Sequence, residues 1–186
     1  YLKFQDLYKK ALSANQNSIE AIAISSYDSN KKEVDSRFVN LKIVDNEKFI
    51  FFSNYCSPKS VQFNSFNQIS VLIFWESLNI QIRLKAKIKK LDTKFNDLYF
   101  SKRDKSKNAL AISSNQSKII SSYNEVTEKY EQILKKNNLS IRPDYWGGFE
   151  FTPYSFEFWK GHESRINKRE IYILEDCSWK KHYLEP

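Results

Sequence analysis

Ten consecutive residues constrain this chain more than any other feature. Ile80, Ile82, Leu84, Ala86 and Ile88 alternate with Gln81, Arg83, Lys85, Lys87 and Lys89. Successive side chains of a β-strand point to opposite faces, so period two over this length specifies a strand with one buried and one wet face. A strand of that kind must lay its apolar side on a second layer of structure.

The flanking sequence supplies more strands. Ile19 to Tyr27 is rich in Ile and Ala and reads as a strand; Val34 to Val44 reads as a second, beyond the polar turn Asp28-Ser29-Asn30-Lys31. Lys48 to Ser53 follows as a third, and these short spacings predict an antiparallel meander. Ser57 to Phe66 predicts a short helix with Pro58 in its first turn. Ile69 to Trp75, interrupted by Ser70, predicts a fully buried strand.

From Thr93 the period lengthens: Phe95, Leu98 and Tyr99 stand at helical spacing, before a basic polar stretch from Lys102 to Lys107. Ser122-x-x-Glu125 matches a capping box. Behind it Tyr123, Val126, Tyr130, Ile133 and Leu134 form an apolar helical stripe that should end near Asn137 and Asn138. Aromatic strands are predicted from Trp146 to Trp159, Glu170 to Leu174 and Trp179 to Leu184. Residues 1–18, with Leu2, Leu7 and Leu12 among Lys and Gln, read as an N-terminal helical arm. The prediction is a single α+β domain over residues 1–186, dominated by antiparallel strands.

Composition narrows the partners. Three Gly and 4 Pro leave little room for long structureless loops, and 16% aromatic residues argue against disorder. No run approaches the roughly 20 apolar residues of a membrane-spanning helix, and no basic-then-apolar leader precedes the first strand. A start at Tyr1 rather than Met leaves room for residues upstream. Cys56 and Cys177 are far apart and outline no disulfide framework, which fits a reducing, cytoplasmic setting. The net charge of +8 favours anionic partners: nucleic acid, an acidic membrane or phosphorylated small molecules. A plain bias towards Lys, Asn and Ile would give the same surplus.

Several chemistries have no residues to support them. The chain contains no Gly-x-Gly-x-x-Gly and no Gly-rich phosphate loop. His162 and His182 are the only histidines, without Cys-x-x-Cys or His-x-x-x-His partners, so no metal site is predicted. There is no Gly-x-Ser-x-Gly elbow. Redox or group-transfer chemistry here would belong to a bound organic cofactor.

Five segments in order resemble the pyridoxamine 5′-phosphate oxidase family. They are Arg37-Phe-Val-Asn-Leu-Lys42; Phe51-Phe52-Ser53-Asn54 with Ser57-Pro58-Lys59; Leu78-Asn-Ile-Gln81; Tyr99-Phe-Ser-Lys-Arg103 with Asn115-Gln116-Ser117; and Trp146-Gly-Gly, Glu157-Phe-Trp159 and Arg165-Ile-Asn-Lys-Arg169. The resemblance implies an FMN-binding split β-barrel, Greek-key-like with flanking helices, that dimerises and holds FMN at the subunit interface. It implies oxidation of pyridoxamine or pyridoxine 5′-phosphate to pyridoxal 5′-phosphate, with O2 reduced to H2O2. Carried over position by position, it assigns Arg37, Lys42, Phe52, Ser53, Lys59, Gln81, Gln116, Ser117, Trp159 and Arg169 to the cofactor. Lys42, Tyr99, Arg103, Ser106, Lys107 and Arg165 fall to the substrate, and Arg165 and Asn167 to catalysis. Taken singly, each Arg or Lys here has a duller reading as a solvated surface charge, and Trp159 as a core residue.

The chain departs from the family pattern at several positions. Phe52 replaces Tyr, Pro58 replaces an Arg, Ile80 stands where Arg is common, and Lys107 falls where the family has Ser. The family's Arg-x-His becomes Arg165-Ile-Asn167, and an amide side chain neither carries a proton nor a positive charge. Retained FMN binding with weakened or altered substrate chemistry is therefore expected. Arg37 and Lys42 pose a geometric problem, because five residues along a flat strand put them on opposite faces. Alternatives are a split-barrel flavoprotein with another substrate, a relative that binds FMN or pyridoxal phosphate without turnover, and, remotely, a nucleic-acid-binding β-barrel. In the last, the Lys-rich strand from Gln81 to Lys89 and the aromatics would meet phosphates and bases.

Overall fold

The computed structural model describes residues 1–136 and 138–186. Its order is α1 (Leu2–Ser13), β1 (Ala21–Asp28), β2 (Glu33–Asn40), β3 (Ile43–Asp45), β4 (Lys48–Asn54), α2 (Pro58–Ser65), β5 (Gln68–Trp75), β6 (Ile80–Lys90), α3 (Thr93–Lys102), α4 (Lys105–Ser113), α5 (Asn124–Leu134), β7 (Trp146–Lys160), β8 (Lys168–Glu175) and β9 (Ser178–Leu184). All described strand pairs are antiparallel, in the order β2-β1-β5-β6-β7-β4-β3, with β8 added to β7 and β9 to β8.

β7 determines this topology. One of its edges pairs with β6 over residues 149–160, from Lys160 opposite Ile80 to Phe149 opposite Lys90. The other edge is divided: residues 146–151 pair with β4 and residues 155–160 with β8. The division falls at Pro153, which has no backbone N–H to offer a neighbour. The register against β6 slips at the same place: Lys85 faces Ser155 but Ala86 faces Pro153, leaving Tyr154 as the extra residue of a bulge. The hydroxyl of Tyr1 donates to the Pro153 carbonyl at 3.0 Å, so the start of α1 seals the split.

The other closure lies between β2 and β3. The Leu41 N–H donates to Glu20 beside β1, and the next N–H, that of Lys42, donates to Ile50 on β4. Two adjacent residues thus bridge the two ends of the sheet. β2 stops at Asn40 instead of running on to Val44 as predicted, and this removes the geometric problem of Arg37 and Lys42, which do not share a strand.

The interior is aromatic. Phe49, Phe51, Phe149 and Phe151 lie on the paired strands β4 and β7, with Phe49 stacked on Phe151 (5.2 Å) and Phe51 on Phe149 (5.6 Å). α1 inserts Phe4, Leu7 and Ala11, and Phe4 meets Phe49 edge-on at 5.0 Å. The β6 alternation is realised as predicted: Ile80, Ile82, Leu84, Ala86 and Ile88 are buried and the intervening cations are exposed.

Four further readings are corrected. β5 is not fully buried: Ile69, Val71, Ile73 and Trp75 point inward, while Leu72 and Phe74 are 42% and 54% exposed on the outer face. An apolar run does not reveal which of its faces is covered. The capping box does not form at Ser122. Glu125 instead accepts from the backbone N–H and hydroxyl of Ser121, and the N-cap position is Tyr123. α5 ends at Leu134, ahead of the predicted end at Asn137, which lies outside the described residues, and none of its stripe is fully buried. The basic stretch from Lys102, read without an element, contains α4, capped by Asp104 accepting from the Lys107 N–H.

Phe51 is fully buried at the centre of the aromatic layer. Phe51→Ala should destabilise the fold by about 3–5 kcal/mol, measured by chemical denaturation; a loss below about 1 kcal/mol would show that the layer can collapse around the cavity.

Candidate functional site

Three groups of predicted residues emerge from this scaffold. The first sits where β2 meets α2. Arg37 lies opposite Ile24 in the hairpin register and so points towards α2. Its guanidinium donates to Ser26 Oγ at 2.6 Å and Gln62 Oε1 at 3.1 Å, and stands 3.6 Å from Asp35. Lys59, in the first turn of α2, is only 8% exposed, and its Nζ donates to Ser57 Oγ at 3.0 Å. Burial, and then the neighbouring Arg37 charge, lower its pKa from 10.5 to about 8. Of these two cations only Arg37 has a carboxylate near it, the largely exposed Asp35.

The second group surrounds a cavity of about 220 Å³ between β4, α4 and the start of β7. Its lining includes Ser53, Asn54, Arg103, Lys107, Gln116 and Trp146. The Ser53 hydroxyl donates to Gln116 Oε1 at 3.3 Å. The Phe52 ring stacks between Tyr99, at 3.8 Å, and Trp146, at 5.1 Å. Arg103 lies over the Trp146 ring at 5.1 Å and donates to Asn108 Oδ1 at 3.1 Å. Asn108 is fully buried and donates to the Phe100 and Leu139 carbonyls, so the amide that orients Arg103 is itself fixed. Burial lowers the Arg103 pKa, with Tyr99 and Asp104 opposing. Tyr99 and Arg103 border a shared cavity, as their four-residue spacing predicts.

The third group occupies the outer face of the sheet. Gln81, Trp159 and Arg169 are consecutive partners across β6, β7 and β8. Beside them Glu157 is buried, and accepts from Arg83 and Arg169.

The remaining predicted residues stand elsewhere. Lys42 forms an ion pair with Glu20 and lines a separate cavity of about 430 Å³ against α1. Ser106 donates its hydroxyl to Asp104 at the exposed start of α4; Lys107, not Ser106, lines the Arg103 cavity. Ser117 is exposed, with φ of 67°. Arg165, with φ of 62°, and Asn167 belong to the exposed β7–β8 turn. There Asn167 Oδ1 accepts the His162 N–H at 3.1 Å, and the Arg165 N–H donates to the His162 carbonyl at 2.9 Å.

Sequence reasoning missed Gln62, Arg83, Asn108 and Glu157. Arg83 was legible as a wet-face residue, but its partner required the register that sets it opposite Glu157. Asn108 gave no signal, since a buried amide in a polar stretch looks like any other.

Residues 146–186 match the family model of the pyridoxine 5′-phosphate oxidase C-terminal dimerisation region. The chain is 34% identical over 185 residues to a pyridoxine/pyridoxamine 5′-phosphate oxidase of Haemophilus influenzae, covering 99% of this chain and 88% of that protein. The chain belongs to the pyridoxine/pyridoxamine 5′-phosphate oxidase family. A pyridoxine/pyridoxamine 5′-phosphate oxidase of Rippkaea orientalis is 32% identical over 190 residues, covering 100% of this chain and 89% of that protein. Among solved structures, PhzG from Burkholderia lata superposes with a TM-score of 0.94 at 22% identity, covering 100% of this chain and 91% of that one. An FMN-binding protein from Nostoc punctiforme gives 0.80 at 10% identity, covering 98% and 97%. Both place the fold among the FMN-binding split barrels, and FMN is the cofactor of this oxidoreductase family.

The residues at α2 fit one end of that cofactor. A buried ammonium near a half-buried guanidinium, with one exposed carboxylate beside the guanidinium alone, leaves positive charge that a phosphate dianion would neutralise through charge-assisted hydrogen bonds. Pro58 removes a possible third cation, so Arg37 and Lys59 are the two cations that would meet the charge.

Lys59 gives this fit a pH signature. Its lowered pKa means that the ammonium is present below about pH 8 and lost above it. FMN affinity should fall as pH rises through that value, in fluorescence-quenching titrations, and Lys59→Met should weaken binding and flatten the dependence. An unchanged slope in the variant would remove Lys59 from the phosphate site.

Proposed function

We propose that this chain oxidises pyridoxamine or pyridoxine 5′-phosphate to pyridoxal 5′-phosphate, with O2 as electron acceptor and H2O2 as product. One observation carries the reading: two separate pairs of cations, Arg37 with Lys59 and Arg103 with Lys107, stand on different parts of the fold, and each is read here as an anion site. A phosphorylated cofactor and a phosphorylated substrate need two such sites. Bound FMN would supply hydride acceptance and reoxidation by O2.

The protein's own residues bind and orient. Arg103, fixed by Asn108 and the Trp146 ring, holds the substrate phosphate with Lys107 and Tyr99, while the Phe52 stack walls the site. Trp159, Gln81 and Arg169 face the cofactor from the outer sheet, and Ser53, Gln116 and Ser117 meet it from β4 and the segment after α4. Arg165 is presented by the β7–β8 turn. Lys42, Arg165 and Asn167 stand apart from the Arg103 cavity within one chain. A homodimer completes the site by apposing residues of the two subunits, in keeping with the dimerisation region at 146–186. On this reading residues 1–186 act as one FMN-binding unit with α1 as its N-terminal arm.

Asn167 favours a second reading, a flavoprotein of this family with another substrate. Its carbonyl is engaged in closing the turn, and it has no proton to transfer. The fold is compatible, since the superposed PhzG structure holds tetrahydrophenazine-1-carboxylic acid.

Purified protein loaded with FMN should show a flavin absorbance band that bleaches when pyridoxamine 5′-phosphate is added under argon, and returns with H2O2 on admitting air. A band that persists with this substrate but bleaches with another reductant transfers the chain to the second reading. Absence of any flavin band after FMN addition would overturn both.

A further inference from the structure

The outer sheet face contains a buried acid that no ligand-binding role accounts for. Glu157 is 7% exposed and projects from the same face of β7 as Trp159. Its Oε1 accepts from Arg169 Nε at 3.0 Å and Nη2 at 2.8 Å, and its Oε2 accepts from Arg83 Nη1 at 3.0 Å. Arg169 Nη1 also donates to the Glu185 carbonyl at 2.8 Å, so the guanidinium is held on two sides. Two guanidiniums therefore share one carboxylate, and the group retains one positive charge. A buried ion pair adds little stability over an apolar replacement, so stability alone is a poor reason for placing one between two arginines.

We propose that Glu157 is a positioning residue that orients Arg169 beside Trp159 and, together with Arg83, sets the positive charge this face presents to the flavin ring. The Arg83–Glu157–Arg169 group then tunes the reduction potential of bound FMN. The inference rests on the reading that Trp159 and Arg169 face the cofactor.

Its physical basis is Coulombic. Reduction loads negative charge on to the flavin ring, so positive charge nearby favours the reduced form and negative charge opposes it. Arg83 and Arg169 act in the first sense and Glu157 in the second. The cross-strand row Gln81–Trp159–Arg169 lies next to the row Arg83–Glu157, and neighbouring positions on a sheet face are close enough for such fields to act.

The test is the midpoint potential of the full-length, FMN-loaded protein, measured by equilibrium reduction against a reference dye, with FMN affinity measured in parallel. Glu157→Gln should raise the potential, since it removes a negative charge, and should weaken FMN binding because a neutral amide oxygen holds the Arg169 guanidinium less firmly than the carboxylate does. Arg83→Met should lower the potential. The double variant should return towards wild type, because the two charge changes cancel. A role confined to folding predicts no opposite shifts and no restoration. Arg83 is more than half exposed, so its variant reports even if Glu157→Gln does not fold. Wild-type protein that binds FMN while Arg83→Met leaves the potential unmoved, or raises it, would overturn the inference and spare the cofactor assignment. Failure of the wild type to bind FMN would overturn the assignment and the inference with it.

Discussion

β7 has one edge continuously paired and the other divided, and the remaining architecture follows from how that division is made. A strand of 15 residues that paired uniformly on both sides would belong to an ordinary twisted sheet. Pro153 withholds one donor and Tyr154 adds one residue, so the strand bends and its two halves recruit different neighbours. The N-terminal half holds β4, bringing Phe52, Ser53 and Asn54 next to Trp146. The C-terminal half holds β8, bringing Arg169 next to Trp159. One strand therefore carries both the inner aromatic layer and the outer charged face.

The charged groups share a common logic. At α2, at the Arg103 cavity and on the outer sheet face, cations outnumber the acids that touch them, and the side-chain groups that accept their hydrogen bonds are neutral or shared. Gln62 and Ser26 hold Arg37, Asn108 holds Arg103, and Glu157 is divided between two arginines. Such acceptors fix geometry without cancelling charge. This is the arrangement expected of surfaces that await anionic groups, because a private carboxylate for each cation would compete with the ligand.

The departures from the family pattern are not equivalent in this setting. Pro58 removes one charge from a cluster that still contains two cations, and Phe52 preserves a ring in a three-ring stack. Both are local changes with evident compensation. Asn167 differs, because its side-chain carbonyl is engaged with the His162 N–H in the turn that carries Arg165, and an amide does not have the proton-carrying function of an imidazole. The balance of retained and altered chemistry therefore centres on the β7–β8 turn.

The sequence by itself determined a great deal. The alternation in β6 dictated a half-buried strand, Pro58 a helix start, Asp28 to Lys31 a turn, and five ordered motifs the family, because local periodicity and residue chemistry are written in consecutive positions. What only the tertiary structure decided is non-local. It set β5 with one face open, ended β2 at Asn40, put the N-cap of α5 at Tyr123 with Glu125 bonded to Ser121, and placed Glu157 opposite Arg83 and Asn108 against Arg103. Each depends on register or on the packing of segments far apart in the chain. Period two tells which residues share a face, but only the pairing of whole strands tells what that face will meet.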